Sequence, residues 1–217
     1  MANEYQNVIV EKPWGYEYLA YENAEMALWC LHLHHSGKTS LHCHPQKKTG
    51  LIVVGGNVHI SFISDGIDKF ALSKLMIRPG LFHSTEAVSP EGAILFELET
   101  PVDKTNLVRL EDAYGREQTP YEGKDKMHAS VVDCLKIDVD QSTELFYGET
   151  KLSILKPPIK WENFNEKTLI AVLSGGIFSK EGDCLVGAAD VVSPEVLKKL
   201  ADAFTLHPDD GVGSAEV

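Results

Sequence analysis

Three histidines are spaced as metal ligands would be. One residue separates His42 from His44, and His83 follows about 40 residues later, shortly after the Pro79-Gly80 turn. Side chains alternate along a β-strand, so the first two rings share a face if their segment is extended, and the third could reach them from an adjacent strand. Three converging neutral imidazoles suit Fe, Mn, Zn, Ni or Cu and leave positions open for water or substrate. The pair alone could equally be two core histidines that happen to lie close together.

The elements that must position these rings are predicted to be short strands. Runs of Val, Ile, Leu, Phe and Tyr recur between Gly, Pro, Asn and Asp residues, which predicts an all-β domain of the sandwich, barrel or jelly-roll type. The predicted strands are 16–20, 27–34, 39–43, 50–54, 57–63, 70–77, 83–87 and 93–100.

The histidine pattern resembles the two sequence motifs of cupins. The matching residues are Gly37, His42, His44, Gly56, Pro79, Gly80 and His83. Residues 12–17 and 107–116 look like the opening and closing segments of the cupin module in type II mannose-6-phosphate isomerases and mannose-1-phosphate guanylyltransferases. The resemblance covers about half of the chain. It implies a cupin jelly-roll barrel, a divalent metal ion (Fe, Mn, Zn or Ni), a homodimer, and an isomerase acting on a sugar or sugar phosphate.

The remainder of the chain is predicted to be a second, degenerate copy. Residues 48–56 resemble residues 167–176, although chance could explain so weak a repeat. We therefore predict a bicupin: a metal-binding domain over 1–117, a connector over 118–130, a degenerate cupin-like domain over 131–206 and a flexible tail over 207–217. The second copy contains no histidine before His207 and so carries no metal site. Ser193, Pro194 and Glu195 predict the start of a C-terminal helix.

One expected ligand is absent from the motif. The cupin glutamate falls at Thr49, and the asparagine that closes the second motif is replaced by Ala87. Gln46 could supply an oxygen ligand instead, or water could take its place. Glu97 and Glu99 share one face of the last predicted strand and could bring a carboxylate into the cavity, with Glu97 as the catalytic base. Alternatively, both face solvent.

Several other polar residues are candidates for substrate contacts. Lys47, Lys48 and Arg78 could pair with a phosphate or a sugar carboxylate, or could simply form solvated charged turns. His32 and His34 share a face of the strand before the motif, so either could line the cavity, and we take His34 as a catalytic candidate. The alternative is a histidine in the core or in a dimer interface.

Composition excludes some classes of function. A formal net charge of −12 argues against a nucleic-acid partner, although a small anionic substrate stays possible. No apolar run is long enough to cross a membrane, residues 1–5 lack the features of a signal peptide, and the four cysteines are scattered. We therefore expect a cytoplasmic protein with free thiols.

Three functions are compatible with these residues. The first is a metal-dependent isomerase, in which a base moves a proton between adjacent carbons through an enediol; this reaction is implied by the resemblance. The second is a non-haem iron dioxygenase, because three histidines without a carboxylate resemble the cupin thiol dioxygenases. The third is a non-catalytic module that binds a sugar nucleotide.

Overall fold

Two antiparallel sheets, formed mostly by the first half of the chain, pack face to face. The computed structural model describes residues 4–118, 121–122, 124–129, 134–140, 144–147, 150–156 and 164–204. The larger sheet has seven strands in the order β12 (Met127–Ala129), β1 (Val8–Lys12), β2 (Gly15–Glu22), β3 (Ala27–Leu33), β10 (Ala93–Thr100), β5 (Lys48–Gly55) and β8 (Lys74–Ile77). The smaller has three, in the order β7 (Gly66–Phe70), β6 (Asn57–Ser61) and β9 (Ser84–Ala87).

A further strand pair extends the smaller sheet. It consists of β4 (Leu41–Cys43) and β11 (Val108–Glu111). Two isolated bridges, Lys38 to Glu86 and His42 to His83, join the segment around β4 to the segment around β9. Among the described residues no ladder joins the smaller sheet to the larger one, so the predicted barrel is an open pair of sheets.

The space between the two sheets holds the main core. Trp29, Leu31 and Leu95 contribute from the larger sheet, and Val58 and Ile60 from the smaller. All five are 5% exposed or less. Because side chains alternate along a β-strand, every second residue of β3 counted from Leu31 points into this space.

The second half of the chain covers the outer face of the larger sheet. Leu28, Cys30 and Leu98 on that face form one cluster with Leu173 and Val191. Both faces of β3 are therefore buried, which accounts for its nearly continuous apolar sequence.

The second half consists of short strand pairs and one helix. The pairs are β13 (Glu144–Tyr147) with β14 (Thr150–Ser153), β15 (Ile170–Ala171) with β18 (Val191–Val192), and β16 (Gly176–Phe178) with β17 (Cys184–Gly187). A 3₁₀ turn covers Lys124–Lys126, and α1 covers Pro194–Phe204. The backbone N–H of Val196 donates to the Ser193 hydroxyl at the start of α1, so the predicted cap is present.

The all-β jelly-roll class and the C-terminal helix are confirmed. One difference lies in the predicted connector, residues 118–130, because Met127–Ala129 pairs with β1 as an edge strand of the larger sheet. The boundaries of a second cupin-like domain stay a prediction, and the predicted tail, 207–217, lies outside the described residues. In the described part of the chain, no helix combines the length and the apolar character that crossing a membrane requires.

Candidate metal centre

The three imidazoles meet between the two sheets. His42 lies on β4, His44 directly after it, and His83 directly before β9. The ring centroid of His42 is 5.0 Å from that of His44 and 4.5 Å from that of His83. One ring nitrogen from each histidine lies within 4.8 Å of the other two, so the three could hold one metal ion.

Backbone hydrogen bonds fix the ligand positions. The N–H of His42 donates to the carbonyl oxygen of His83 at 3.0 Å, and the N–H of His83 donates back to His42 at 2.8 Å. Gly80, at a positive φ of 76° in the turn before His83, donates its N–H to the His44 carbonyl oxygen at 2.9 Å. Because glycine adopts this conformation at little cost, the Pro-Gly turn can place the third ring beside the other two.

Each ring is oriented by its Nδ1 atom. Nδ1 of His42 donates to the carbonyl oxygen of Ser40 at 2.8 Å, that of His44 to Asn106 at 2.7 Å, and that of His83 to Leu81 at 3.0 Å. A carbonyl only accepts, so each Nδ1 carries the proton and each Nε2 keeps a free lone pair. This is the arrangement in which histidine binds metals while a second partner sets its tautomer.

Burial keeps the rings neutral. It lowers the pKa of His42 well below its ordinary value, with His83 and His44 adding to the effect. Burial and then Lys47 lower the pKa of His44 to about 3, and burial also lowers the pKa of His83. Among the described residues, the buried Nε2 of His44 has no hydrogen-bond partner. An unsatisfied buried lone pair is costly, so the donor set fits a metal ion.

A carboxylate lies beside the rings. Oε1 of Glu97, on β10, is 3.9 Å from Nε2 of His44. Burial, followed by the charges of Glu99 and Glu17, raises the pKa of Glu97 to about 7 against the opposing effect of Lys104. Glu97, Glu99 and His44 form a second set whose ligand atoms lie within 4.8 Å of one another. Both carboxyls are at most 9% exposed, so the alternative in which they face solvent is wrong.

Only some of the candidate substrate contacts reach the cavity. Lys47 lines it, is 1% exposed and binds Glu99 with 2.5 Å between Nζ and Oε2. Lys48, the next residue, points to the other face of the sheet and pairs with Asp190 at 2.8 Å. Arg78 is exposed in the turn before His83 and does not line the cavity. The structure therefore corrects the proposed substrate contacts of Lys48 and Arg78.

Gln46 also lies outside the cavity. Its side chain is exposed, and its closest partner is the amide of Asn106, at 3.5 Å. The turn that follows His44 directs it outwards, so its position does not support the ligand role that we assigned to it. Thr49, at the position of the motif glutamate, is fully buried, and among the described residues its hydroxyl has no hydrogen-bond partner.

His34 is a further correction. The alternation along β3 is as predicted, but the leucines face the cavity and the histidines face outwards. His32 stacks on Tyr16 with 4.4 Å between ring centroids, and His34 is exposed at the end of the strand. The position of His34, exposed and outside the cavity lining, therefore does not support the catalytic role that we assigned to it.

Replacing His34 with alanine is expected to leave the metal content of the protein unchanged, because its side chain is exposed and does not line the cavity. Elemental mass spectrometry of the two purified proteins measures this. Loss of metal in His34→Ala would contradict the outward orientation of the ring.

Sequence reasoning missed most of the charged wall of the cavity. The residues concerned are Lys12, Glu17, Lys104, Arg109, Arg116 and Tyr121. Four of them fall in the two segments that resemble the mannose-6-phosphate isomerase module, so their positions in those segments were the available signal. Lys104 lies in an irregular segment and carried no such signal.

The carboxylate of Glu17 is the centre of one charged group. Nζ of Lys12 and Nζ of Lys104 each lie 3.4 Å from its Oε1, and the Tyr121 hydroxyl donates to the same oxygen. Burial alone would raise the pKa of Glu17, but Lys104 and Lys12 outweigh it and lower the pKa to about 2. Burial opposes the charge of Lys104, yet Glu17, Glu99 and Glu97 raise its pKa to about 12.

Comparison with known proteins gives similarity in fold. No protein-family model matches the chain, and no curated protein matches it. A protein with a double-stranded β-helix domain from Klebsiella pneumoniae is 18% identical, with a TM-score of 0.41, over 44% of this chain and 84% of that one. An RmlC-like cupin from Shewanella frigidimarina is 18% identical, with a TM-score of 0.41, over 48% and 92%. A cupin-superfamily sugar phosphate isomerase from Silicibacter pomeroyi is 11% identical, with a TM-score of 0.38, over 40% and 59%.

Proposed function

We propose that this protein is a metal-binding cupin that isomerises a sugar or sugar phosphate. The observation that carries the proposal is the convergence of three deprotonated Nε2 atoms beside a carboxyl group whose pKa is about 7. The first part supplies a metal position, and the second supplies a buried carboxyl group 3.9 Å from His44 that could exchange a proton with the substrate.

The residues that would hold the metal are His42, His44 and His83. A bound Fe, Mn, Zn or Ni ion would polarise the carbonyl and hydroxyl oxygens of the substrate. The three backbone carbonyls behind the rings keep the Nε2 atoms aimed into the cavity. Such outer partners are typical of functional metal sites.

Glu97 is the proposed acid–base group. Its carboxylate takes a proton from the carbon that bears the hydroxyl, and protonation of the neighbouring carbonyl oxygen completes the enediol. The proton then returns to the neighbouring carbon while the original hydroxyl gives up its own proton, so an aldose and a ketose interconvert with no net gain or loss of atoms. Glu99 is held by Lys47 at 2.5 Å, which leaves Glu97 as the less strongly paired carboxyl. Apolar side chains of Trp14, Leu31 and Leu95 line the same cavity and limit the access of water.

The test is turnover of a panel of hexose and pentose phosphates by protein loaded with Mn, Zn, Ni or, anaerobically, Fe(II). In the variant Glu97→Gln we expect kcat to fall by about 10²- to 10⁴-fold, the usual contribution of a positioned acid–base group. Metal content should be retained in this variant, and Glu91→Gln, which changes an exposed carboxylate, is the matched control. Metal-loaded protein that converts none of the panel would overturn the isomerase proposal.

The second candidate is a non-haem iron dioxygenase. It is favoured by Thr49, which leaves the three histidines without the motif carboxylate. Oxygen uptake by Fe(II)-loaded protein with thiol substrates, in the absence of any isomerase activity, would establish it. Tight binding of a sugar nucleotide with neither activity would instead identify a non-catalytic module.

A further inference from the structure

A second charged group, around the carboxylate of Glu122, borders the same cavity through its cations, whereas Glu122 itself lines the neighbouring cavity together with Arg109. Nη1 of Arg116 is 2.6 Å from Oε1 of Glu122, and Nη2 of Arg109 is 3.7 Å from the same oxygen. Nζ of Lys12 contacts the other oxygen, Oε2. The side chains of Lys12, Arg109 and Glu122 are at most 9% exposed, so one buried carboxylate is shared by three cations.

This group lies next to the imidazoles. Arg109 on β11 is the direct register partner of His42 on β4. Side chains directly opposite each other in an antiparallel pair share a face, with Cβ atoms about 4.5–5.5 Å apart. Lys12, Arg109 and Arg116 all line the cavity that contains His42, His44 and His83. A ligand held by Arg109 would therefore adjoin a metal held by His42.

The three cations are held more firmly than the carboxylate. Lys12 and Arg109 belong to strands of the two sheets, and Arg116 makes three hydrogen bonds to Asp112, at 2.8, 2.8 and 2.9 Å. Glu122 belongs to no helix or strand. Its carboxylate could leave while the cationic side chains stay in place.

Charge balance determines what could replace it. Lys12 and Arg116 also contact Glu17 and Asp112, respectively, but loss of Glu122 would remove one of the negative charges that these buried cations share. Loss of a partner from a buried ion pair is destabilising by several kcal/mol, so we expect another anion to take the place of Glu122. A divalent metal on the histidines would add two positive charges beside Arg109. A single guanidinium group can donate two parallel hydrogen bonds to two oxygens of a phosphate or carboxylate. Arg109 and Arg116 provide two such groups at this position.

We propose that Lys12, Arg109 and Arg116 form an anion-binding position beside His42. Glu122 occupies this position in the absence of ligand, and an oxyanion of the substrate, a phosphate or a carboxylate, displaces it. For the identity of the substrate this inference rests on the proposed function, but the anion-binding position itself requires no turnover.

The experiment measures binding of inorganic phosphate to the full-length protein, before and after removal of metal by a chelator, using isothermal titration calorimetry at fixed ionic strength. In Glu122→Gln the competing carboxylate is gone, so the dissociation constant should fall by about tenfold or more, as expected when a position that is mostly occupied becomes available. Glu111→Gln, which removes an exposed carboxylate at the end of β11, should bind as the wild type does. A parallel titration with acetate separates phosphate from carboxylate selectivity.

Two further variants keep the test decisive. Glu122→Asp retains the charge but shortens the reach of the carboxylate, so it should also bind phosphate more tightly, even if Glu122→Gln fails to fold. Arg109→Gln should abolish phosphate binding both in the otherwise wild-type protein and when combined with Glu122→Asp. Phosphate binding by Glu122→Asp no tighter than in the wild type, or binding that survives Arg109→Gln, would overturn the proposal. If phosphate binds as expected but no sugar phosphate is converted, the anion-binding position stands and the isomerase function fails.

Discussion

Replacing His83 with alanine is expected to remove the metal from this protein. The other two ligands are close together in sequence and share a strand segment, whereas His83 comes from the adjacent segment, which pairs with His42. Disturbing an outer partner of a ligating histidine typically weakens metal binding by about 10- to 100-fold, so loss of a ligand should exceed 100-fold. Metal content by elemental mass spectrometry, and competition with a chelator of known affinity, measure this.

The fold should survive this change. The bridge between His42 and His83 is made by backbone atoms, which alanine retains. Circular dichroism and the urea midpoint should therefore differ little from those of the wild type in metal-free protein. His59→Ala is the matched control, because His59 lies on β6, pairs with Asp68 at 2.7 Å and is outside the cavity. Full metal occupancy in His83→Ala would mean that the three rings do not share one ion.

The sequence was sufficient for the histidine centre because the His42–His44 pair is a local feature and the cupin-like spacing indicated that His83 joins it. The one-residue spacing of His42 and His44 fixes their common face, and the Pro-Gly turn explains how His83 reaches them. The all-β class followed in the same way from short apolar runs separated by turn residues. Neither inference needed to know what packs on the outside of the sheet.

The choice of face could not be predicted. Both faces of β3 are covered, one by the cavity and one by the second half of the chain, so periodicity pairs His32 with His34 without indicating which face is inside. The same ambiguity affected Lys47 and Lys48, which are adjacent and point in opposite directions. Glu97 and Glu99 could be placed on one face, but only the packing of β10 against β3 and β5 shows that this face lines the cavity.

The charged wall was beyond sequence reasoning for a different reason. Glu17 and Lys104 are 87 residues apart, and the pair forms only because the irregular segment after β10 returns across the cavity. That segment also places the Asn106 carbonyl on His44. Contacts of this kind depend on chain path, which residue spacing does not encode.

The buried carboxylate of Glu17 is expected to be the main source of stability among these charges. In Glu17→Gln the amide keeps the shape but leaves Lys12 and Lys104 without the negative charge that both contact. Removing one partner of a buried ion pair typically costs about 3–5 kcal/mol, because the remaining charge stays buried. Urea unfolding of the metal-free protein at neutral pH measures the loss, with Glu11→Gln, an exposed carboxylate on the same strand as Lys12, as the control.

The same residue predicts how stability changes with acid. The pKa of Glu17 is about 2 in the folded protein against an ordinary value of 4.5, so its charged form is favoured by folding. A lowered pKa contributes stability that is complete above the ordinary pKa and is lost as the pH falls through the folded value. The shift corresponds to about 3 kcal/mol, at roughly 1.4 kcal/mol per unit. Wild-type protein should therefore lose this stability between about pH 4.5 and pH 2. In Glu17→Gln the free energy of unfolding should change less with pH over the same range. If it changes as steeply as in the wild type, other carboxylates cause the acid sensitivity.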